Sequence, residues 1–457
     1  MYIGTVTNWL PEIARSERPY YRALADAMAR DIAAGRLRPG ARLPPQRDLA
    51  HTLGVTVPTI TRAYALAARR GLVDGTVGRG TFVRAPLSAD PIDAAVDLSI
   101  NAVPPHAHLG DLAARLELPV DAGLRASLLG YPPRAGLDAH RDAGARWIAR
   151  RGVRVSPDRV LVTAGAQHAL VVALASVTTP GDTLLVEELT YGGLIEAARL
   201  LGLTLHAVAM DPHGIQPNAL ERAARETAAR VVVLQPVIHN PTGMTMTPER
   251  RHAVAAVVQS AALHVIEDDI YGFLAPETPP LVTELEQPWT YLTSLSKSVV
   301  AGVRVGYVAV SAHGTPPAER ALHATTIAAS PVTAELATGF ILDGTADRIV
   351  EWKRQELSAR QGLARAILPG LHAETHPASP HVWWPLPRHW KAGDFVNAAR
   401  TRGILLGAPE SFLGRPGATP RAVRLCLGSP ATRERLTEAL QTLRELAESV
   451  PSRAPLV

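Results

Sequence analysis

From about residue 98 onward, short apolar runs alternate with longer stretches in which apolar side chains recur every three or four positions. The short runs predict strands at 160–163, 183–187, 203–208, 231–235, 264–267, 290–294 and 305–310. The periodic stretches predict helices at 167–178, 190–201, 218–229 and 248–260, then long helical patterns at 316–326 and 331–366. A mixed region at about 367–450 completes the pattern. Such alternation predicts an α/β fold, with a mostly parallel sheet covered by helices on both faces.

The first 84 residues are patterned differently. Tyr21, Leu24, Met28 and Ile32 fall near the helical period, predicting a helix over 20–34 that Gly35 stops. A second helix is expected at 46–53, ended by Gly54. A third is expected at 58–70, with Thr56 as its cap and Pro58 in its first turn. Residues 72–76 and 81–84 then predict two strands around the tip Gly78-Arg79-Gly80. Three helices and a hairpin in this order outline a winged helix-turn-helix. Residues 85–97, with Pro86, Ser88, Asp90 and Pro91, are expected to be a linker, and 98–457 a larger module.

Composition sharpens this division. Residues 1–84 hold 13 arginines, no lysine and 6 acids, a net +7, whereas the remaining residues sum to −2. A compact basic module points to nucleic acid. The start of the third helix would lie in a major groove, where Thr56, Thr59 and Thr61 offer hydroxyls. Arg47, Arg62 and, on the wing after Gly78, Arg79 offer phosphate contacts. A single cysteine, Cys426, excludes an internal disulfide and suits a reducing cytoplasm; it lies in the apolar run 423–427, where packing is its expected role. Residues 1–10 have no basic stretch followed by an apolar one, so no signal peptide is expected. Apolar stretches such as 169–177 are too short to span a bilayer.

Of 47 basic residues only three are lysines: Lys297, Lys353 and Lys391. Arginine cannot replace lysine in forming a Schiff base, which needs an amine that can lose its proton. Lys297 follows Thr293-Ser294-Leu295-Ser296 and precedes Arg304 by seven residues, and hydroxyls with an arginine suit a phosphate. That pattern suggests pyridoxal 5'-phosphate (PLP). Other polar residues fall at expected strand ends, where open α/β sheets bind ligands. They are Ala164-Gly165-Ala166-Gln167 opening a helix, then Tyr191, then His239-Asn240-Pro241-Thr242-Gly243, then Asp268-Asp269-Ile270-Tyr271. Asp268 could keep a pyridine nitrogen protonated, and Asn240 and Tyr271 could hold the ring oxygen.

Residues 19–84 resemble the DNA-binding domain of GntR-type regulators. The likeness lies in Ile32-x-x-Gly35-x-Leu37-x-Pro39-Gly40-x-x-Leu43-Pro44, Arg47-x-Leu49-Ala50, Ala63-Tyr64 and Gly78-Arg79-Gly80-Thr81-Phe82-Val83. Val57 stands where that family often has arginine. Residues 98–450 resemble a fold-type I, class I aminotransferase with a small C-terminal α/β subdomain. This second resemblance implies that Lys297 forms the aldimine with PLP and that Asp268 pairs with the pyridine nitrogen. Asn240 and Tyr271 would hold the ring oxygen, and Tyr191 would stack on the ring. Ala166, Gln167, Ser294, Ser296 and Arg304 would bind phosphate. Tyr131 would reach the neighbouring subunit's phosphate, and Arg424 would grip a substrate carboxylate. Ala301 replaces the proline that usually precedes Gly302, and Pro132-Pro133 follow Tyr131. The two modules together resemble the MocR/GabR regulators. This implies a cytoplasmic homodimer that binds operator DNA with two half-sites and senses PLP, an amino acid or an amine. The alternative is a working aminotransferase. No metal site is expected.

Overall fold

A computed structural model describes residues 9–11, 13, 19–33, 36–37, 41–69, 72–76, 80–83, 95–104, 128, 130–286, 288–311, 315–371, 374–415 and 417–450. The chain divides into two compact units, Met1–Ala94 and Ala95–Val457.

In the first unit, helices α1 (Tyr20–Ala33), α2 (Gln46–Leu53) and α3 (Val57–Arg69) precede the antiparallel hairpin β1 (Val73–Thr76) and β2 (Gly80–Val83). Leu24, Met28, Leu37, Leu43, Leu49, Ile60, Tyr64, Val73 and Val83 are buried together, so the periodic positions of the sequence do form one small core. Tyr64 Oη donates to the carbonyl of Pro44 at 2.9 Å, tying α3 to the turn before α2. Thr56 pairs with Thr59 through their hydroxyls at 3.0 Å.

The second unit opens with β3 (Val96–Leu98), and Val96 and Asp97 therefore belong to a strand rather than to the end of the expected linker. Helix α4 (Asp138–Ala149) leads into a seven-stranded sheet built from β4 (Val160–Thr163), β5 (Thr183–Glu187) and β6 (Thr204–Val208). The small hairpin β7 (Met210–Asp211) and β8 (Gly214–Ile215) follows, then the remaining sheet strands β9 (Val231–Leu234), β10 (His264–Asp268), β11 (Trp289–Ser294) and β12 (Gly306–Val310). The sheet order is β4-β12-β11-β10-β9-β5-β6. Every pair is parallel except those of β12, which runs antiparallel to β11 and β4. The inner strands are buried on both faces because helices cover both. Those helices are α5 (Ala166–Val177), α6 (Gly192–Leu200), α7 (Pro217–Thr227) and α8 (Pro248–Ser260), and they match the expected periodic stretches to within two residues.

A four-residue helix, α9 (Leu295–Ser298), carries Lys297 directly off the end of β11. Helix α10 (Thr315–Thr326) follows. The pattern at 331–366 is two helices, α11 (Pro331–Leu342) and α12 (Thr345–Ile367). The break falls at Gly344, whose φ of +78° no right-handed helix accommodates. The C-terminal part has its own core around Trp384, Phe395, Leu425, Leu436 and Leu443. It pairs β13 (His381–Pro385) antiparallel with β15 (Ala422–Cys426), and β14 (Ile404–Leu406) parallel with β3, with α13 (Ala392–Thr401) and α14 (Arg433–Glu448) packed alongside. Among the described residues no helix is long and apolar enough to cross a membrane, and no group of three metal-binding side chains occurs.

Candidate functional site

The sheet delivers chemistry at one end. Four parallel strands finish in polar residues: β4 before Gly165, β9 before Gln235, β10 at Asp268 and β11 at Ser294. Three consecutive acids, all buried, end β10 and begin the turn after it: Glu267 and Asp268 in the strand and Asp269 just past it. The outer two are held by fixed partners. Glu267 accepts from the amides of Leu281 and Val282 at 3.0 and 2.8 Å. Asp269 accepts from Arg151 Nε at 2.9 Å and from Tyr291 Oη at 2.6 Å. Asp268 alone faces the site. One of its oxygens accepts from Gln235 Nε2 at 3.3 Å, and the other, Oδ1, is buried without a partner among the described residues. Burial pushes its carboxyl up to about 7, with the backbone N–H of Ile270 and the charge of Lys297 opposing the rise and the charges of Asp269 and Glu187 adding to it.

Gln235 does double duty. Its Oε1 accepts the backbone N–H of Asn240 at 2.6 Å, so one amide orients both Asp268 and the Asn240 turn. Asn240 in turn receives Arg424 Nη1 on its Oδ1 at 2.9 Å. Arg424 lies on β15, its guanidinium 4.6 Å from the centre of the Phe412 ring, and its Nε is a buried donor without a partner among the described residues.

Lys297 is largely enclosed, and burial lowers its amine to about 8, with the positive charges of Arg424 and Arg304 contributing and Cys426 and Asp268 opposing. Its Nζ donates to the backbone carbonyl of Asn101. Asn101 Nδ2 donates to Tyr271 Oη at 2.7 Å and lies 3.0 Å from His381 Nδ1. Arg424 Nη2 donates to the carbonyl of Ser99. The segment just past β3 is thus woven into the site.

A third corner suits an anion. Gly165, φ +84°, precedes α5, whose first amides, those of Ala166 and Gln167, have no partner within their own helix. A Cβ at Gly165 would lie 2.7 Å from Arg304 Nη2, so only glycine lets the guanidinium close on this turn. Arg304 Nη1 donates to Ser296 Oγ at 3.2 Å. Ser294 Oγ accepts the amide of Ser296 at 2.9 Å and is fully buried, a bond that leaves its own proton to donate. Tyr191 stands half-buried at the start of α6, its phenol raised by burial.

The bonds form three groups: Lys297 with Asn101 and Tyr271, Asp268 with Gln235, Asn240 and Arg424, and Ser296 with Arg304, with Ala166, Gln167 and Tyr191 at helix starts. Tyr131 is 90% exposed and takes no part in them. Cys426 is buried on β15 as a packing residue, its thiol raised by burial to about 11. Sequence reasoning missed Gln235, Ser99, Asn101 and His381. Gln235 was discoverable as a polar residue ending an apolar run; the others signal only through the fold.

On the first unit, Arg47, Thr56, Thr61 and Arg62 are exposed and Thr59 is half-buried around the start of α3. Thr61 Oγ1 donates to Gln46 Oε1 at 2.7 Å, so its proton is used between helices. Gly78 and Arg79 lie outside the described residues.

Residues 94–443 match the family described as aminotransferase class I and II, and residues 20–83 match the bacterial regulatory proteins of the gntR family. Among relatives, the HTH-type transcriptional regulator YdeF of Bacillus subtilis (strain 168) is 33% identical, with 97% of each chain covered. The vitamin B6 salvage pathway transcriptional repressor PtsJ of Salmonella typhimurium is 28% identical over 85% of this chain and 90% of its own. Among solved structures, an archaeal alanine:glyoxylate aminotransferase superposes with TM-score 0.70 at 21% identity, covering 78% of this chain and 91% of that one. At that identity the likeness shows the fold. This is a DNA-binding regulator with an aminotransferase-like domain. It belongs to the MocR-type family, in which a GntR-type winged helix-turn-helix is fused to a class I aminotransferase domain.

Proposed function

We propose that this protein is a transcription regulator whose larger unit binds PLP at Lys297 and senses PLP itself, an amino acid or an amine there. The observation that carries the reading is a set of unmet needs among neighbouring groups. Among the described residues a buried carboxylate oxygen, Asp268 Oδ1, and a buried donor, Arg424 Nε, have no hydrogen-bond partner, and the Lys297 amine, which feels the charges of both residues, has a lowered proton affinity. PLP with an amino-acid-like ligand supplies a pyridinium N–H, a carboxylate and an aldehyde, one for each. When bound, PLP would contribute an aldehyde reactive toward primary amines and an electron-withdrawing ring.

The chain's own residues would divide the remaining work. Asp268, fixed by Gln235, would hold the ring nitrogen's proton. Asn240 and Tyr271 would donate to the ring oxygen, and Tyr191 would cover the ring face. The amides of Ala166 and Gln167, with Ser296 and Arg304, would hold the phosphate at a helix N-terminus. Arg424 would orient a carboxylate with paired N–H groups. Tyr131, exposed on this chain, would reach a partner subunit's phosphate in a homodimer. The exposed Arg47 and Arg62, together with Arg79, would contact phosphates of double-stranded operator DNA, with Thr56 and Thr59 beside the groove floor. Two such modules per dimer would read two half-sites. The protein would act in the cytoplasm.

The test is the visible absorption of purified protein titrated with PLP, wild type beside Lys297→Ala, followed by footprinting of the upstream region with and without ligand. A lysine-dependent band and a ligand-dependent footprint are expected. No band in the wild type would sink the cofactor assignment.

The low proton affinity of Lys297 also suits a proton-transferring base, which favours turnover as a second reading. Keto-acid formation from amino acids, lost in Lys297→Ala, tests it. The relative named for vitamin B6 salvage favours PLP as the signal; a footprint that responds to PLP but to no amino acid would select that case.

A further inference from the structure

Lys353 is one of three lysines in the chain, and its side chain is only 2% exposed. It lies on α12, and its Nζ donates to the backbone carbonyl of Val299 at 2.6 Å. Val299 is the residue at which α9, the turn bearing Lys297, ends; its backbone leaves the helix at φ −119°, ψ −85°. The last carbonyls of a helix have no partner within it, and a four-residue helix has little else to hold it in place. Lys353 supplies that partner from a 23-residue helix.

No carboxylate lies within ion-pair distance of Lys353 among the described residues. The acids of α12 are engaged elsewhere: Asp347 with Arg150, Glu351 with Arg354, and Glu356 with Arg360 and Arg433. A buried, unpaired guanidinium would keep its charge at all relevant pH, at high cost. An apolar residue would leave the Val299 carbonyl unsatisfied. Only an amine both donates to that carbonyl and can shed its charge. Burial, with a smaller contribution from the charge of Lys297, lowers the Lys353 amine to about 7.

We propose that Lys353 is a positioning residue for Lys297: by donating to the Val299 carbonyl it pins the turn that carries Lys297. The charged and titratable groups around Lys297 from other elements are Arg424 and Cys426 on β15, Arg304 before β12 and Asp268 on β10. Lys353 is the one contributed by α12. The inference rests on the reading of Lys297 as the PLP-binding residue.

The experiment uses full-length protein freed of PLP and compares wild type, Lys353→Gln and Lys353→Met. The quantity read is the rate at which the visible band appears when PLP is added. Gln keeps an N–H donor, so its rate stays near wild type. Met has none, so its rate falls about fivefold, the equivalent of one neutral hydrogen bond. Equal rates in the Met and Gln variants overturn the proposal; if the Met variant does not fold, a Lys353→Gln rate about fivefold below wild type overturns it alone. A wild type without the band removes the reading of Lys297 beneath it, a failure distinct from either.

Discussion

Lys297 and Asn101, 196 positions apart in the chain, are joined through the lysine amine and the asparagine's backbone carbonyl. Arg424 makes the same kind of bond to the carbonyl of Ser99. Both acceptors directly follow β3, the first strand after residues 84–94. Lys297 and Arg424 are therefore both bonded to the segment just past β3.

The Asn101 side chain gives the segment a measurable anchor. Its Nδ2 serves Tyr271 Oη and adjoins His381 Nδ1, both buried. Asn101→Ala leaves two buried polar groups short of a partner and should cost about 1–3 kcal/mol. Urea unfolding should show a lower midpoint with unchanged slope. An unchanged midpoint would mean that the segment is not anchored through this amide.

Asp268 should leave a signature in the pH dependence of ligand-free stability. Its carboxyl is raised from 3.8 to about 7, so between those values the folded state binds more protons than the unfolded one. Stability contributed by this group is present below about 4 and is lost as pH rises toward 7. Asp268→Asn removes the penalty. Relative to wild type, the variant should gain stability across this window by up to about 1.4 kcal/mol per pH unit. Parallel stability curves from pH 4 to 7 would contradict the burial of a lone, unpartnered carboxyl oxygen here.

Gly165→Ala separates phosphate recognition from ring recognition. The added methyl would press on Arg304, and the φ of +84° disfavours any side chain. PLP affinity should fall by tenfold or more, the scale of about 1.4 kcal/mol or one charge-assisted hydrogen bond. Affinity for pyridoxal, which lacks the phosphate, should hold. Equal losses for both ligands in parallel titrations would assign Gly165 to the fold instead.

On the first unit, Arg62→Ala and Arg47→Ala should weaken DNA binding uniformly across sequences and flatten the salt dependence by about one unit of log–log slope each. Fluorescence anisotropy at several salt concentrations measures this directly. A change in sequence preference with no change in slope would place these arginines on bases rather than on phosphates.

Strands such as 231–234 and 183–187 were legible because both faces of an inner strand are buried, leaving an apolar run with sharp polar ends. Lys297, Asp268 and Asn240 were legible for the same reason: each is a polar residue at or just beyond such an end. The break at Gly344 was not, since apolar residues on either side keep nearly the same helical phase. Ser99, Asn101 and His381 were also hidden. They enter the site through pairings such as β3 with β14 and β13 with β15, and such long-range contacts leave no local pattern. Lys353 showed only as a rare residue type; the acceptor that explains it lies 54 positions away.

Arg424 offers the sharpest division between cofactor and effector. One of its terminal nitrogens is held by Asn240, the other donates to Ser99, and Nε is left for a ligand; Phe412 backs the plane. Arg424→Lys keeps the charge but has a single nitrogen to serve all of these, so it cannot hold a carboxylate with two parallel bonds. The variant should still develop the visible band with PLP, because none of the groups assigned to the ring or phosphate is removed. Amino acids should perturb that band at roughly tenfold to hundredfold higher concentration than in wild type, reflecting about 1.5–3 kcal/mol for a hydrogen bond to a charged group. Amines without a carboxylate should act at unchanged concentration. If amines and amino acids weaken together, Arg424 supports the site as a whole; if neither weakens, the effector's carboxylate is bound elsewhere.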